Sequence, residues 1–344
     1  RSLVSNLFTG SGRDTLIGND LGNDLRANAG NDIIFAGPGN DTISGGPGFD
    51  TIDTGSGIDT VRDRLVDLNG DFITGVRAGT TIDITGSLIG RNFLSTVEWA
   101  GSTTLAIADY AVAMAGLFAD GEFMAVPRST GTETHTSVMF VNFLPSLFES
   151  VSVAADAING VANEPFLTSD GSTRFSMDMK TAQSTFANTL GVYRVAADGT
   201  IHDTQAIYAN TRGVFPSLST VDLGTPANGE RLAFFLIQDG FGQYGDLPDD
   251  LRLVAPGTTT AANVNAGVPP ELLSASLGRL TAAPIFHTIA TLNPGDAVQV
   301  LSGTAAGGRE LLIGFEDLPT ASGDRDFQDV VIGLRTNYDD LFVI

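Results

Sequence analysis

Single apolar residues recur at a nearly constant interval in the first part of the chain. Between residues 9 and 63 they stand among glycine and polar residues, at Leu16, Ile34, Ile43, Ile52 and Val61. This pattern predicts units of about nine residues, each a glycine-rich turn followed by a strand of three residues. The apolar residue of each strand points inward and stacks on its neighbours in the next units.

The remaining apolar pattern also predicts strands. Residues 66–100 alternate short apolar runs with turns and are interpreted as a hydrophobic cap over the last repeat. Three further strands are predicted at residues 103–108, 123–126 and 137–143. Towards the C-terminus the pattern indicates a hairpin, a buried strand and two strands joined by an acidic loop, in residues 186–203, 231–240 and 310–334 respectively.

Each repeat unit also carries a Gly-x-Asp step. The pairs are Gly12/Asp14, Gly22/Asp24, Gly30/Asp32, Gly39/Asp41, Gly48/Asp50 and Gly57/Asp59, with spacings of 10, 8, 9, 9 and 9. This sequence resembles the RTX (repeats-in-toxin) nonapeptide family, whose pattern is G-G-x-G-x-D-x-U-x and whose members form calcium-binding parallel β-rolls. The match covers about 55 residues, from Thr9 to Asp63.

The resemblance implies calcium sites at the turns. Two units make one coil, so turns 18 residues apart lie side by side. One edge is then expected to carry Asp14, Asp32 and Asp50, and the other Asp24, Asp41 and Asp59. Glycine exposes carbonyl oxygens in tight turns, and carboxylate and carbonyl oxygens suit Ca²⁺. The turn glycines expected to contribute are Gly30, Gly39, Gly48 and Gly57.

The second unit departs from the pattern. Arg26 falls at the inward position there, unless Leu25 shifts to fill it, and the 10-then-8 spacing suggests a local bulge. A stack this short buries little apolar surface and places carboxylates in rows. We therefore expect about residues 8–65 to be unfolded without Ca²⁺ and ordered with it.

The composition indicates that the acidic residues lie mainly in turns, because aspartate is typical of turns and far exceeds glutamate. The chain has 344 residues, 31 Asp against 9 Glu, one Lys and a net charge of −22. Such a chain does not bind nucleic acid or an anionic membrane through bulk charge. No Cys is present, and no apolar run is long enough to span a membrane. No apolar signal segment follows Arg1, so we expect a trimmed or processed chain.

The loop between the last two predicted strands is the most acidic segment of the C-terminal part. It holds Glu316, Asp317, Asp324, Asp326 and Asp329 around Gly323. Carboxylates this close repel each other unless a cation intervenes. Residues 180–335, with the run GDRDFQDVV, resemble the family called domain of unknown function 4114. The resemblance implies a β-sandwich with a calcium site at Asp324, Asp326 and Asp329, with Asp239 as a neighbour; the alternative is a solvated acidic loop.

The last seven residues, YDDLFVI, resemble the C-terminal signal of type I secretion substrates. This resemblance implies export in an unfolded state through an ABC transporter of a Gram-negative bacterium. It also implies a location outside the cell or at its surface, where calcium folds the chain. An ordinary terminal β-strand is the other interpretation of this segment.

The predicted architecture is all-β, a short parallel β-roll followed by antiparallel β-sandwich domains. The boundaries assign residues 1–65 to the calcium-binding roll, 66–178 to the cap and a β-rich middle domain, 179–337 to the sandwich and 338–344 to the secretion tail. Several calcium ions are expected.

The sequence shows no familiar catalytic motif, since it lacks H-E-x-x-H, G-x-S-x-G and any cysteine. We therefore expect a non-enzymatic protein. Three functions remain open: an extracellular structural, adhesive or surface-layer module that contacts copies of itself; a calcium-dependent domain that binds cell-surface glycans; and a polysaccharide hydrolase with a carboxylate pair.

Overall fold

The computed structural model describes residues 5–77, 79–89, 93–130, 133–148, 150–161, 164–213, 220–305, 310–319 and 323–337. The predicted secretion tail, residues 338–344, lies outside these ranges. The chain forms two compact units, one within residues 1–143 and one within 144–336. The predicted fold class is confirmed, because a parallel roll is followed by antiparallel sheets.

The first unit begins with nine short strands. They are β1 (Asn6–Phe8), β2 (Thr15–Ile17), β3 (Asp24–Arg26), β4 (Ile33–Phe35), β5 (Thr42–Ser44), β6 (Thr51–Asp53), β7 (Thr60–Arg64), β8 (Phe72–Thr74) and β9 (Thr81–Thr85). Odd-numbered strands pair in parallel in one sheet and even-numbered strands in the other. The second residue of β2 to β9 is aliphatic and buried between the sheets, and β9 buries a further aliphatic residue, Ile84.

The parallel pairing keeps one register over most of the roll. Partners lie 18 residues apart from β1 to β7, as in the pair Leu25 and Ile43. Leu25 therefore fills the inward position, Arg26 is exposed, and the bulge suggested by the uneven repeat spacing does not form. The last coil is longer, because Thr51 pairs with Phe72 and Thr60 with Thr81, 21 residues on.

Two antiparallel extensions close the end of the roll. Their strands are β10 (Leu94–Trp99), β11 (Ser102–Ile107), β12 (Tyr110–Ala115), β13 (Gly121–Thr130) and β14 (Glu133–Asn142). Strand β12 pairs with β8, and β14 pairs with β9, so each sheet continues into one extension. Residues 72–74 and 81–85, which the sequence assigned to the cap, are strands of the roll itself.

The second unit consists of antiparallel strands. They are β15 (Phe175–Thr181), β16 (Thr189–Val195), β17 (Ile201–Tyr208), β18 (Val221–Gly224), β19 (Arg231–Ile237), β20 (Arg252–Val254), β21 (Glu271–Ser274), β22 (Gly278–Leu280), β23 (Ile285–His287), β24 (Val300–Gly303), β25 (Leu311–Phe315) and β26 (Val330–Thr336). The sheet orders are β18-β15-β26-β25-β24, β17-β16-β19-β23 and β20-β21-β22.

Helical structure in the described residues is limited to short turns. The α-helices are α1 (Glu164–Leu167) and α2 (Gly240–Tyr244), and the 3-10 segments include Ala155–Ala157, Thr211–Gly213, Val264–Ala266, Ala290–Leu292 and Pro294–Asp296. None of these helices is long enough to cross a membrane.

The core of the second unit surrounds β19. Phe234 and Phe235 are both fully buried although they point to opposite sides of the strand. Phe235 belongs to a cluster with Tyr193 and with Leu253 and Leu272 from the three-stranded sheet. Both faces of β19 are therefore covered, which explains why its sequence is apolar without alternation.

The division between the units at 143/144 differs from the predicted boundaries at 65/66 and 178/179.

Candidate metal centres

One edge of the roll carries a column of four aspartates. The backbone N–H of Asp14 donates to Oδ1 of Asp32, that of Asp32 to Asp50, and that of Asp50 to Asp71, at 2.7, 2.7 and 2.8 Å. The carboxylates of Asp32, Asp50 and Asp71 are thus each fixed by the backbone of the adjacent coil. We call Asp14, Asp32, Asp50 and Asp71 column one. The sequence placed the first three on one edge and gave Asp71 no specific place.

The other edge carries a second column, of different composition. Asn23 donates its backbone N–H to Oδ1 of Asp41 at 2.7 Å, and Asp41 donates to Asp59 at 3.1 Å. We call Asn23, Asp41 and Asp59 column two. Asp24 does not take the predicted place at this edge, because the 18-residue register puts residue 23 beside Asp41. It lies on β3 instead, where it forms an ion pair with Arg26 at 2.9 Å.

The second carboxylate oxygen of these aspartates has no hydrogen-bond partner. Oδ2 is buried and unpartnered in five of them, namely Asp32, Asp41, Asp50, Asp59 and Asp71. A buried charged oxygen without a partner is costly, so such atoms are normally paired or bound to a metal. One such oxygen occurs in every half-coil, alternating between the two edges of the roll. This regular spacing is what a row of cation sites along each edge would require.

The pKa values of the same carboxyl groups are raised, because the groups are buried. Burial, with the charge of neighbouring aspartates, raises the pKa of Asp50 to about 6 and that of Asp71 to about 8. Burial also raises the pKa of Asp41 and Asp59. Without a cation, the folded roll therefore carries an electrostatic cost at neutral pH, and a divalent ion removes it.

The turn glycines allow the coils to stack closely. A Cβ at Gly30 would overlap the carbonyl oxygen of Gly12, and one at Gly48 or Gly57 would overlap the carbonyl oxygen of Gly30 or Gly39. The carbonyl groups thus lie against the glycine of the next coil, next to the columns. Carbonyl and carboxylate oxygens together form the hard donor set that Ca²⁺ takes at 6–8 coordination.

The close stacking of the coils predicts that two glycine-to-alanine substitutions differ strongly in how much they destabilise the roll. Gly48→Ala should destabilise the calcium-loaded roll by about 1–3 kcal/mol, because its methyl group overlaps the Gly30 carbonyl. Gly10→Ala is the matched control, since nothing lies within 4 Å of a Cβ there. Its effect should stay within about 0.5 kcal/mol. Hydrogen exchange of the β4–β6 amides measures both, and equal protection in the two variants would contradict the stacking account.

A further aspartate supports the last coil. Asp63 on β7 is buried, and its carboxylate accepts hydrogen bonds from the Ser44 hydroxyl at 2.7 Å and the Gly45 N–H at 2.9 Å. Sequence reasoning did not single out Asp63 or Asn23. The signal for Asn23 was available, since counting back 18 residues from Asp41 gives residue 23.

The second unit holds a separate carboxylate cluster between β25 and β26. One carboxylate oxygen from each of Glu316, Asp326 and Asp329 lies within 4.8 Å of the others. Glu316 follows β25 directly and Asp329 precedes β26 directly, so the pairing of Phe315 with Val330 brings them together. Both oxygens of Glu316 are buried and unpartnered.

The backbone of the loop curls to place these groups. Arg325 and Phe327 have positive φ values of 60° and 56°, in the left-handed region that L-residues rarely adopt. The Phe327 side chain is fully buried and anchors the turn. Asp326, between these two residues, accepts the backbone N–H of Ser150 at 2.8 Å.

The electrostatics of the cluster favour a cation. Burial and the charges of Asp324 and Asp326 raise the pKa of Glu316 to about 7. Burial also raises the pKa of Asp317 and Asp329, which are in direct contact: the Asp317 N–H donates to Asp329 Oδ2 at 2.8 Å. A cation bound among these oxygens would satisfy Glu316 and relieve the repulsion.

The remaining predicted ligands lie around this cluster. Asp317 is held by the Ser184 hydroxyl and by the Asn188 amide, the latter at 2.6 Å. Asp239 reaches the cluster only through Asn188, whose amide oxygen accepts the Asp239 N–H at 2.9 Å. Its own carboxylate accepts from Gln243 at 3.0 Å. Among the described residues, Glu316, Asp326 and Asp329 are therefore the metal-binding candidates, with Asp317 as a supporting group; the predicted ligand Asp324 is outside this group.

Two family models match the chain. Residues 17–52 and 26–61 match the RTX calcium-binding nonapeptide repeat, in four copies, and residues 227–337 match the domain of unknown function DUF4114. Both resemblances found in the sequence are confirmed, although the second match begins at residue 227 and not near 180. No curated protein and no solved structure matches the chain.

Proposed function

Because the chain carries RTX calcium-binding repeats and a DUF4114 domain, we propose that it is a secreted, non-enzymatic module of an extracellular or surface-layer structure. It would fold after export, when Ca²⁺ binds. RTX repeats indicate a calcium-binding protein that is typically secreted. The observation that carries the proposal is the series of buried, unpartnered Asp Oδ2 atoms in the two columns.

The proposed folding step follows from charge. In a compartment with little free calcium, the carboxylates of each column repel one another and keep the roll unfolded. The chain then remains extended enough to pass a type I exporter. Outside the cell, where calcium modules typically bind at about 10⁻⁴–10⁻³ M, the ions bind and the coils close. The formal charge of −22 describes the exported chain better than the folded one, because bound divalent ions cancel part of it.

An assembling module also needs contact surface, and the first unit exposes several large apolar side chains. Ile17, Phe49, Ile58 and Trp99 are 70%, 65%, 64% and 82% exposed. Burial of such side chains against other copies would favour association. This surface supports a structural role over catalysis, for which the sequence supplies no motif.

The test is calcium-triggered assembly. Purified chain in EGTA is expected to be monomeric with an unfolded roll, and addition of calcium should produce ordered oligomers or sheets visible by light scattering and electron microscopy. A chain that stays monomeric in calcium but is retained on a glycan array would favour the carbohydrate-binding function. Turnover of polysaccharide would favour the hydrolase. Either result would overturn the proposal of a structural, non-enzymatic module.

A further inference from the structure

The two columns end differently at the closed end of the roll. Column one ends on Asp71, whose Oδ2 is buried and unpartnered. Column two continues from Asp59 to Thr80, because Thr81 donates its N–H to the Asp59 carbonyl at 2.8 Å and pairs with Thr60. A neutral, buried hydroxyl residue thus stands where the repeat would place an aspartate.

An arginine from the same turn reaches the Asp59 carboxylate. Arg77 Nη2 lies 3.5 Å from Asp59 Oδ2 and donates a hydrogen bond to the carbonyl oxygen of Gly55. A turn carbonyl and an Asp Oδ2 without a hydrogen-bond partner are the two kinds of oxygen that calcium ions would take elsewhere in the roll. The guanidinium group therefore contacts the same kinds of oxygen that would bind calcium.

The turn holds this arginine in place. The Arg77 N–H donates to Thr80 Oγ1 at 3.2 Å, and the Thr80 N–H donates back to the Arg77 carbonyl at 2.9 Å. Thr80 is 1% exposed. Arg77 Nε is itself buried without a hydrogen-bond partner, so the guanidinium is held by its charge and by Gly55.

The other unpartnered oxygens have no such cation. Among the described residues, no Arg, Lys or His forms an ion pair with Asp32, Asp41, Asp50 or Asp71, whereas Asp59 is paired with Arg77. We propose that Arg77 is a fixed cation that takes the place of a calcium ion at the last turn of column two. This turn can then close before calcium binds, while the last turn of column one requires an ion.

The test counts calcium ions per chain. Arg77→Gln replaces the cation with a neutral oxygen ligand and is expected to bind one ion more than the wild type, with a higher calcium concentration at the midpoint of folding. Arg62→Gln is the matched control, because the exposed Arg62 pairs at 2.6 Å with Asp83 on the neighbouring strand of the same unit, and Asp83 belongs to neither column. It should keep the wild-type ion count. Native mass spectrometry gives the count, and circular dichroism gives the midpoint.

A second variant keeps the test decisive if the single substitution folds poorly. Arg77→Gln combined with Thr80→Asp restores a carboxylate at the column position and should also bind one extra ion. The wild-type ion count in both variants, or failure of both to fold at saturating calcium, would overturn the proposal. The inference rests on calcium binding by the roll; a wild-type chain that binds no calcium would instead overturn the proposed function.

Discussion

Chelation of calcium is expected to unfold the roll and leave the second unit folded. In EGTA, the amides of β1–β8 should exchange with solvent within seconds, whereas those of β16 and β19 should remain protected. The reason is the small core of the roll, in which each of β2 to β8 buries one aliphatic side chain. Set against it are five buried carboxylate oxygens without a hydrogen-bond partner, and of these only the Asp59 oxygen has a cation nearby. At 100 times its dissociation constant, each bound ion adds about 2.7 kcal/mol, so several ions supply most of the stability.

Magnesium is the control for this prediction. Mg²⁺ demands near-ideal octahedral geometry and dehydrates reluctantly, so it should restore little protection at equal concentration. Hydrogen exchange with mass spectrometry resolves the two units in one experiment. Full protection of β1–β8 in EGTA would show that the unpartnered oxygens do not require a cation.

The substitution Glu316→Gln is expected to change stability with opposite signs in the presence and absence of calcium. The folded pKa of Glu316, about 7, lies above the ordinary value, so at pH 8 the ionised group destabilises the ion-free fold. Gln removes that charge and should stabilise the ion-free second unit by about 1–3 kcal/mol. With calcium present, the variant loses a ligand and should be less stable than the wild type by a similar amount.

The matched control for this site is Glu271→Gln, whose carboxylate forms an ion pair with Arg279 outside the cluster. It should change stability by less than about 1 kcal/mol in both conditions. Thermal unfolding of the second unit in EGTA and in calcium gives the four values. An effect of the same sign in both conditions would exclude a cation among Glu316, Asp326 and Asp329.

The sequence predicted the repeat well because the repeat is local. Each unit needs one inward aliphatic residue and one glycine turn, and both can be read from nine residues. The error at Asp24 shows the limit of this approach. The motif Gly22-Asn23-Asp24 looks like the others, but pairing with Ile43 fixes Leu25 inward and hence residue 23 at the edge.

The features that the sequence did not predict depend on contacts between distant segments. Asp71 joins column one only because the longer turn at residues 65–71 adds three residues to the coil, which no fixed repeat period reveals. Asp239 was expected beside the acidic loop, yet Asn188 lies between them. Arg77 carries no motif, and its role is visible only from its distance to Asp59.

We propose calcium as the partner of these buried carboxylate oxygens. A crystal structure grown in calcium, with anomalous scattering data collected at long wavelength, tests it most directly. Anomalous peaks are expected about 2.3–2.6 Å from Oδ2 of Asp32, Asp41, Asp50 and Asp71 and from Glu316, with no peak beside Arg77. Hydrogen-bonded water at these oxygens, without anomalous signal, would contradict it.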